Sequence, residues 1–196
     1  FTIGFDLGTT LFSWIFGPYL LQKKSSNYSV LNFRKLVNIR LTRLNNELRK
    51  SYSDQRFPIY VASVEEEKYY VIPLRGKGLW DAIWGYIALE EDKNTIKGAV
   101  FDHKGETAGL GAEITQQWFQ NRFLGEKVFD SQGNLVGINV SKTNNDPKDL
   151  DKDDHEVDAI SGATITGDGV TDMIKERLTH YLPYLKQEKS IVALYN

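Results

Sequence analysis

Between Asp158 and Val170 the chain reads DAISGATITGDGV. Three hydroxyls, Ser161, Thr164 and Thr166, surround the small residues Gly162 and Ala163. An Asp-rich stretch precedes them and an amphipathic helical pattern follows. A helix N-terminus offers free backbone N–H groups and the positive end of the helix dipole, and phosphate groups bind there. Gly162 and Ala163 let a ligand come close to the backbone. Ser161 to Gly169 therefore has the chemistry of a phosphate cradle. The same residues also suit an ordinary helix cap, and spacing alone leaves both readings open.

Other chemistries have less to work with. The 196 residues include no cysteine, which excludes disulfides, Cys-ligated iron–sulfur clusters, thiolate zinc sites and thiol nucleophiles. His103, His155 and His180 are scattered and form no metal-ligand spacing, so no metal site is expected. No Gly-x-Gly-x-x-Gly turn is present, so the chain has no nicotinamide site of its own. Gly4 to Thr10, GFDLGTT, resembles the phosphate-binding turn of the actin and Hsp70 ATPases, but the further segments those folds require are missing. Lys and Arg number 24 against 26 Asp and Glu, a net charge of −2 that gives no electrostatic reason for nucleic-acid binding. Hydrophobic residues make up 41% and charged residues 26%, enough for one domain with a real core.

The elements that must position the hydroxyl cluster follow from periodicity. Phe1–Leu21 is mostly apolar but interrupted by Asp6 and Pro18, and Lys23 and Lys24 follow it. It reads as a truncated membrane anchor, an amphipathic N-terminal segment or a buried helix. Residues 1–28 are set apart on this basis. Residues 29–52 form a basic amphipathic linker helix with Leu31, Leu36, Ile39, Leu44 and Leu48 on its apolar positions. The remaining domain, 53–196, opens with strands over 58–63 and 69–76 joined as a hairpin. Residues 76–92 are a short helix or a turn running into a strand. A further strand covers 94–105. A Gly-rich loop becomes a helix over 105–123, and a hairpin turns at 131–134 within 125–142. The loop 143–158 is acidic and solvated. A last helix starts near Gly167, with Val170, Met173, Ile174, Leu178, Tyr181 and Leu182 on one stripe and Pro183 near its end. The fold class is α+β, with an antiparallel or mixed sheet and packed helices.

Three short elements in order, GLW at 78–80, GETAGLG at 105–111 and DAISGAT at 158–164, resemble the FMN-binding domain family. The likeness covers roughly 55–186. Within the family, GKGLWDAIWGYIALE and KGETAGLGAEI are similar to the C subunits of Na⁺-translocating NADH:quinone oxidoreductases. The G subunits of Rnf complexes are related to these. Two positions depart: Ala108 stands where the family has proline, and Gly167 where it often has serine. The family's membrane helix has only a poor counterpart in Phe1–Leu21.

The resemblance implies a covalent flavin. In such proteins the threonine that closes Ser-Gly-Ala-Thr, here Thr164, carries FMN through a phosphoester. A separate flavin transferase installs it from FAD and releases AMP. Thr166 is the rival acceptor. Asp158 opens the motif, Gly162 and Ala163 keep the acceptor unencumbered, and Ser161 and Thr166 hydrogen-bond the phosphate. Leu79 and Trp80 lie against the isoalloxazine, Glu106, Thr107 and Leu110 hold its polar edge and ribityl chain, and Lys142 balances the phosphate charge. The implied role is an electron carrier between NADH and quinone among the other subunits of a sodium-pumping complex, with no catalysis by the isolated chain. The implied place is the bacterial inner membrane, with the FMN domain on the periplasmic side. An Rnf-type or stand-alone extracytoplasmic flavoprotein, or a binding scaffold without flavin, are the alternatives.

Overall fold

The computed structural model describes residues 46–47, 49–51, 55–64, 67–146 and 150–186. The N-terminal segment 1–28, read as a membrane anchor or an N-terminal helical segment, lies outside them, as does most of the expected linker helix 29–52. Among the described residues no helix is long and apolar enough to cross a membrane.

Four strands form an antiparallel sheet in chain order: β1 Tyr60–Val64, β2 Glu67–Lys77, β3 Ala82–Leu89 and β4 Ile96–His103. The expected first hairpin forms, with Val64 opposite Glu67. Residues 76–92, open between helix and strand in sequence, become a turn closed by Gly78 N–H donating to Asp81 C=O at 2.8 Å, followed by β3. Their unbroken apolar run is that of a strand buried on both faces. Ile83, Ile87 and Leu89 join the main core, whereas Tyr86 and Ala88 form a second cluster with Val71 and Val100.

Two expectations need correction. The helix expected over 105–123 is broken into a 3-10 turn Gly111–Thr115, α1 Gln117–Gln120 and a 3-10 turn Asn121–Phe123. Gln116 is extended, at φ −81° and ψ 140°, and interrupts the helical run. The break lets Ile114, Phe119 and Phe123 all enter the core, where Phe101 meets Phe119 and Phe123. The hairpin expected over 125–142 turns where expected, with Asp130 N–H donating to Asn134 C=O and Val136 N–H to Val128 C=O, each at 3.0 Å, but it forms no regular strands, only the antiparallel bridge Phe129 to Leu135. Beyond it β5 Asn139–Val140 pairs in parallel with β6 Glu156–Val157, drawn from the acidic loop.

The last helix, α2 Thr164–Leu185, begins three residues earlier than periodicity suggested and contains Pro183 in its final turn. Val170, Met173, Ile174, Leu178 and Tyr181 pack on the sheet beside Ile72 and Leu74. Its first half lies very close to the end of β2. A Cβ on Gly169 would sit 2.3 Å from the Lys77 carbonyl oxygen, and one on Gly76 would sit 2.7 Å from the Met173 Cβ. This approach carries the N-terminus of α2 to the β2–β3 turn. Gly169→Ala should therefore push the helix off the strand and cost about 1–3 kcal/mol, in the range of overpacked cores; urea denaturation read by fluorescence measures it.

Candidate functional site

Glu106 stands at the centre of the site. It follows β4 in the Gly-rich loop and is buried. Its Oε1 accepts the Trp80 N–H at 3.0 Å, and its Oε2 accepts the Leu79 N–H at 3.4 Å and the Thr166 hydroxyl at 2.5 Å. One carboxylate thus ties the β2–β3 turn and the start of α2 to the Gly-rich loop. Its own N–H donates to His103 Nδ1 at 3.1 Å. Burial works against its ionisation, but the bonds from Thr166, Trp80 and Leu79 outweigh it and hold the carboxyl below the ordinary glutamate range. Two glycines make room. A Cβ on Gly78 would lie 2.6 Å from Glu106 Oε1, and one on Gly111 would lie 2.5 Å from Oε2.

Around this clamp runs a cleft of about 240 Å³, walled by Leu79, Leu110 and Ile165 and lined also by Thr107, Ala163 and Thr164. Thr164 is the first residue of α2 and is exposed. Thr166 is 1% exposed and its hydroxyl is engaged with Glu106. Gly162 forms the turn before the helix at φ 73°, and a Cβ there would strike Leu110 Cδ2 at 2.8 Å. The N-cap is Ala163, which caps nothing with its side chain. The first N–H groups of the helix, which have no intrahelical partner, belong to residues that line the cleft and receive no cap from the Ala163 side chain.

The remaining residues singled out in sequence divide between the cleft and its surroundings. Trp80 is 66% exposed, and its Nε1 donates to Thr107 Oγ1 at 3.2 Å. Glu106 and Thr166, both assigned to the cofactor in sequence, are engaged with each other. Ser161 is in the turn itself and lines a second cleft of about 420 Å³ shared with Trp118, Arg122 and Asn144. Asp158 is 6% exposed; its Oδ1 accepts the Asp146 N–H at 3.3 Å, while its buried Oδ2 has no hydrogen-bond partner among the described residues. Lys142 is exposed, with Nζ 3.9 Å from the Asp168 carboxylate on the first turns of α2. Sequence reasoning missed Ile165 and Arg122. Ile165 carried a signal, since a large apolar residue off the buried stripe of α2 is 58% exposed. Arg122 carried only its spacing of four from Trp118, on whose ring it stacks.

The profile of the FMN-binding domain family matches residues 78–179, more than half of the chain. The chain belongs to the FMN-binding domain family. As an FMN-binding domain it is similar to the C subunit of the Na⁺-translocating NADH-quinone reductase of Neisseria meningitidis serogroup A, at 38% identity over 139 residues, 69% of this chain and 52% of that one. The corresponding protein of Chlamydia muridarum is 37% identical over 151 residues, 72% of this chain and 46% of that one. The chain spans about half the length of the curated relatives it matches. The crystal structure of the C subunit from Parabacteroides distasonis superimposes with a TM-score of 0.63 at 32% identity, over 83% of this chain and 100% of that one.

The cleft of this FMN-binding domain fits a phosphorylated planar aromatic. Free helix N–H groups and an exposed hydroxyl suit the phosphate end, and apolar side chains suit a ring. Its volume is below the 300–1,000 Å³ usual for enclosed ligands, so a flavin would lie partly across the exposed Leu79, Trp80 and Ile165 rim. Among the described residues no group of His, Asp or Glu could hold a metal ion.

Because the folded Glu106 carboxyl is depressed, its stabilisation is present above the ordinary glutamate value of about 4.3 and is lost as pH falls through the lower folded value. Glu106→Gln should cost about 1.5–3 kcal/mol near neutrality and flatten the acid limb of stability. Thermal melts of both proteins between pH 3 and pH 7 check this.

Proposed function

We propose that this chain is the flavin-bearing electron carrier of a Na⁺-translocating NADH:quinone oxidoreductase, and that FMN is joined through its phosphate to Thr164. One observation carries the attachment. Of the two threonines at the start of α2, Thr164 is an exposed residue at a helix N-terminus with no side-chain cap, and Thr166 has its hydroxyl buried against Glu106. A transferase can reach the first and not the second. The role in the respiratory complex is supported by the relatives, each of which is the C subunit of that enzyme.

The attachment step balances with FAD as donor. Thr164 Oγ1 forms a bond to the flavin-side phosphorus, the P–O–P bond breaks, and AMP leaves with the bridging oxygen while the hydroxyl proton passes to the AMP phosphate or to solvent. Bound FMN would supply one-electron redox chemistry. The chain's own residues hold and shield. Leu79, Leu110 and Ile165 wall the cleft, helix N–H groups and the α2 dipole favour the phosphate, and Lys142 adds a cation one turn along the helix. Thr107 keeps the Trp80 indole at the rim. Electrons enter and leave through other subunits, since this chain has no nicotinamide turn. We place the domain on the periplasmic face of the bacterial inner membrane, where an exposed flavin would be open to those partners.

Incubation with a flavin transferase and FAD tests the proposal. Intact mass of the parent protein should rise by one FMN less one water, and Thr164→Ala should gain nothing. Undiminished labelling of Thr164→Ala would refute the assignment.

A further inference from the structure

The segment that delivers Thr164 is held from outside the family motifs. Asp158 to Ile160 leaves β6, and the chain then turns through Ser161 and Gly162 into α2. Backbone bonds fix it at two points: Ala159 N–H donates to Thr143 C=O at 3.1 Å, and Ala163 N–H donates to Ile160 C=O at 3.0 Å. A third hold comes from Arg122. Its Nη1 donates to the Asp158 carbonyl at 2.6 Å and to the Ala159 carbonyl at 3.1 Å. The guanidinium carbon lies 4.9 Å from the centre of the exposed Trp118 ring. Arg122 is anchored in turn: Lys152 Nζ donates to its carbonyl at 3.0 Å, and the next residue, Phe123, is fully buried in the core.

We infer that Arg122, stacked on Trp118, is a positioning residue for the acceptor turn: it fixes where Asp158 and Ala159 enter the turn and so sets how often Thr164 is presented in the form the transferase binds. The inference rests on the proposed function for the meaning of that presentation. The physical reason is the flat guanidinium. Nη1 alone donates to both successive carbonyls, and the planar group keeps its face on the indole while it does so; a lysine ammonium can reach the carbonyls but has no flat face to stack. Arg122 acts through the turn. The acceptor hydroxyl and the cleft walls belong to other residues. Loss of the hold lowers the fraction of molecules with a competent turn, and apparent affinity falls by that fraction.

The test uses the whole chain with purified flavin transferase and FAD, and initial labelling rates are read by intact mass across acceptor concentrations. Arg122→Gln should raise the apparent KM for the acceptor about tenfold, the scale of a lost charge-assisted hydrogen bond, and leave kcat near the parental value. Arg122→Lys should rescue this only partly. Trp118→Ala, at an exposed position, should give a smaller rise in KM. A fall in kcat that lysine restores would mean that Arg122 binds the incoming phosphate directly, and would overturn the positioning role, as would unchanged kinetics. Amide hydrogen exchange of the unlabelled protein gives a reading that needs no flavin. Residues 161–165 should exchange about tenfold faster in Arg122→Gln, and equal exchange overturns the inference. Failure of the parent to label, with faster exchange in the variant, would count against Thr164 as acceptor and leave Arg122 as the support of the turn.

Discussion

The Glu106 carboxylate is the constraint on which the site depends. It accepts two backbone N–H groups from the β2–β3 turn and one hydroxyl from α2. Each is a hydrogen bond to a charged acceptor, and the one from Thr166 is buried, the class that contributes most. Without it the turn, the Gly-rich loop and the helix start would have no common point. The neighbouring glycines follow from the same constraint, because any Cβ at Gly78 or Gly111 would occupy the space of the carboxylate oxygens. GLW and Thr166, two residues past Ser-Gly-Ala-Thr, therefore belong with GETAGLG: both bind the carboxylate that this loop carries.

The clamp also divides the labour between the two threonines. Residues two apart on an α-helix point about 200° away from each other. With Thr166 turned inward onto Glu106, Thr164 must face outward. Close packing of α2 on β2 at Gly169 and Gly76 then sets the helix end beside Leu79 and Leu110. An exposed threonine, helix-start N–H groups and apolar walls meet there as a consequence of how closely α2 packs on the end of β2.

Much of the sheet was legible in sequence because its signals are local. The first hairpin, the strand after residue 94 and the apolar stripe of the last helix all follow from periodicity. Gln116 carried no sign that it would break a helix; the break arises because Ile114, Phe119 and Phe123 must all reach the same core. The true start of α2 was hidden for a similar reason, since Thr164 to Thr166 lie off a plain amphipathic pattern until Thr166 meets a carboxylate 60 positions away. Motif resemblance brought Glu106, Thr107 and Leu110 to the site, but it could not show that Glu106 faces the protein. Arg122 was hard to see, because its hydrogen-bond partners in the turn are main-chain carbonyls, which leave no mark on residue type; among the described residues only Trp118, four positions earlier, is a side-chain partner.

The most direct measurement of the central claim is fragment-ion mapping of the flavin on the unmodified chain after reaction with a flavin transferase and FAD. The account predicts a single flavin phosphate on Thr164, with Ser161 and Thr166 unmodified. Flavin on Thr166 would contradict it, because that hydroxyl would have to leave Glu106 and the core, and a chain that bears no flavin on any of the three would contradict it as well.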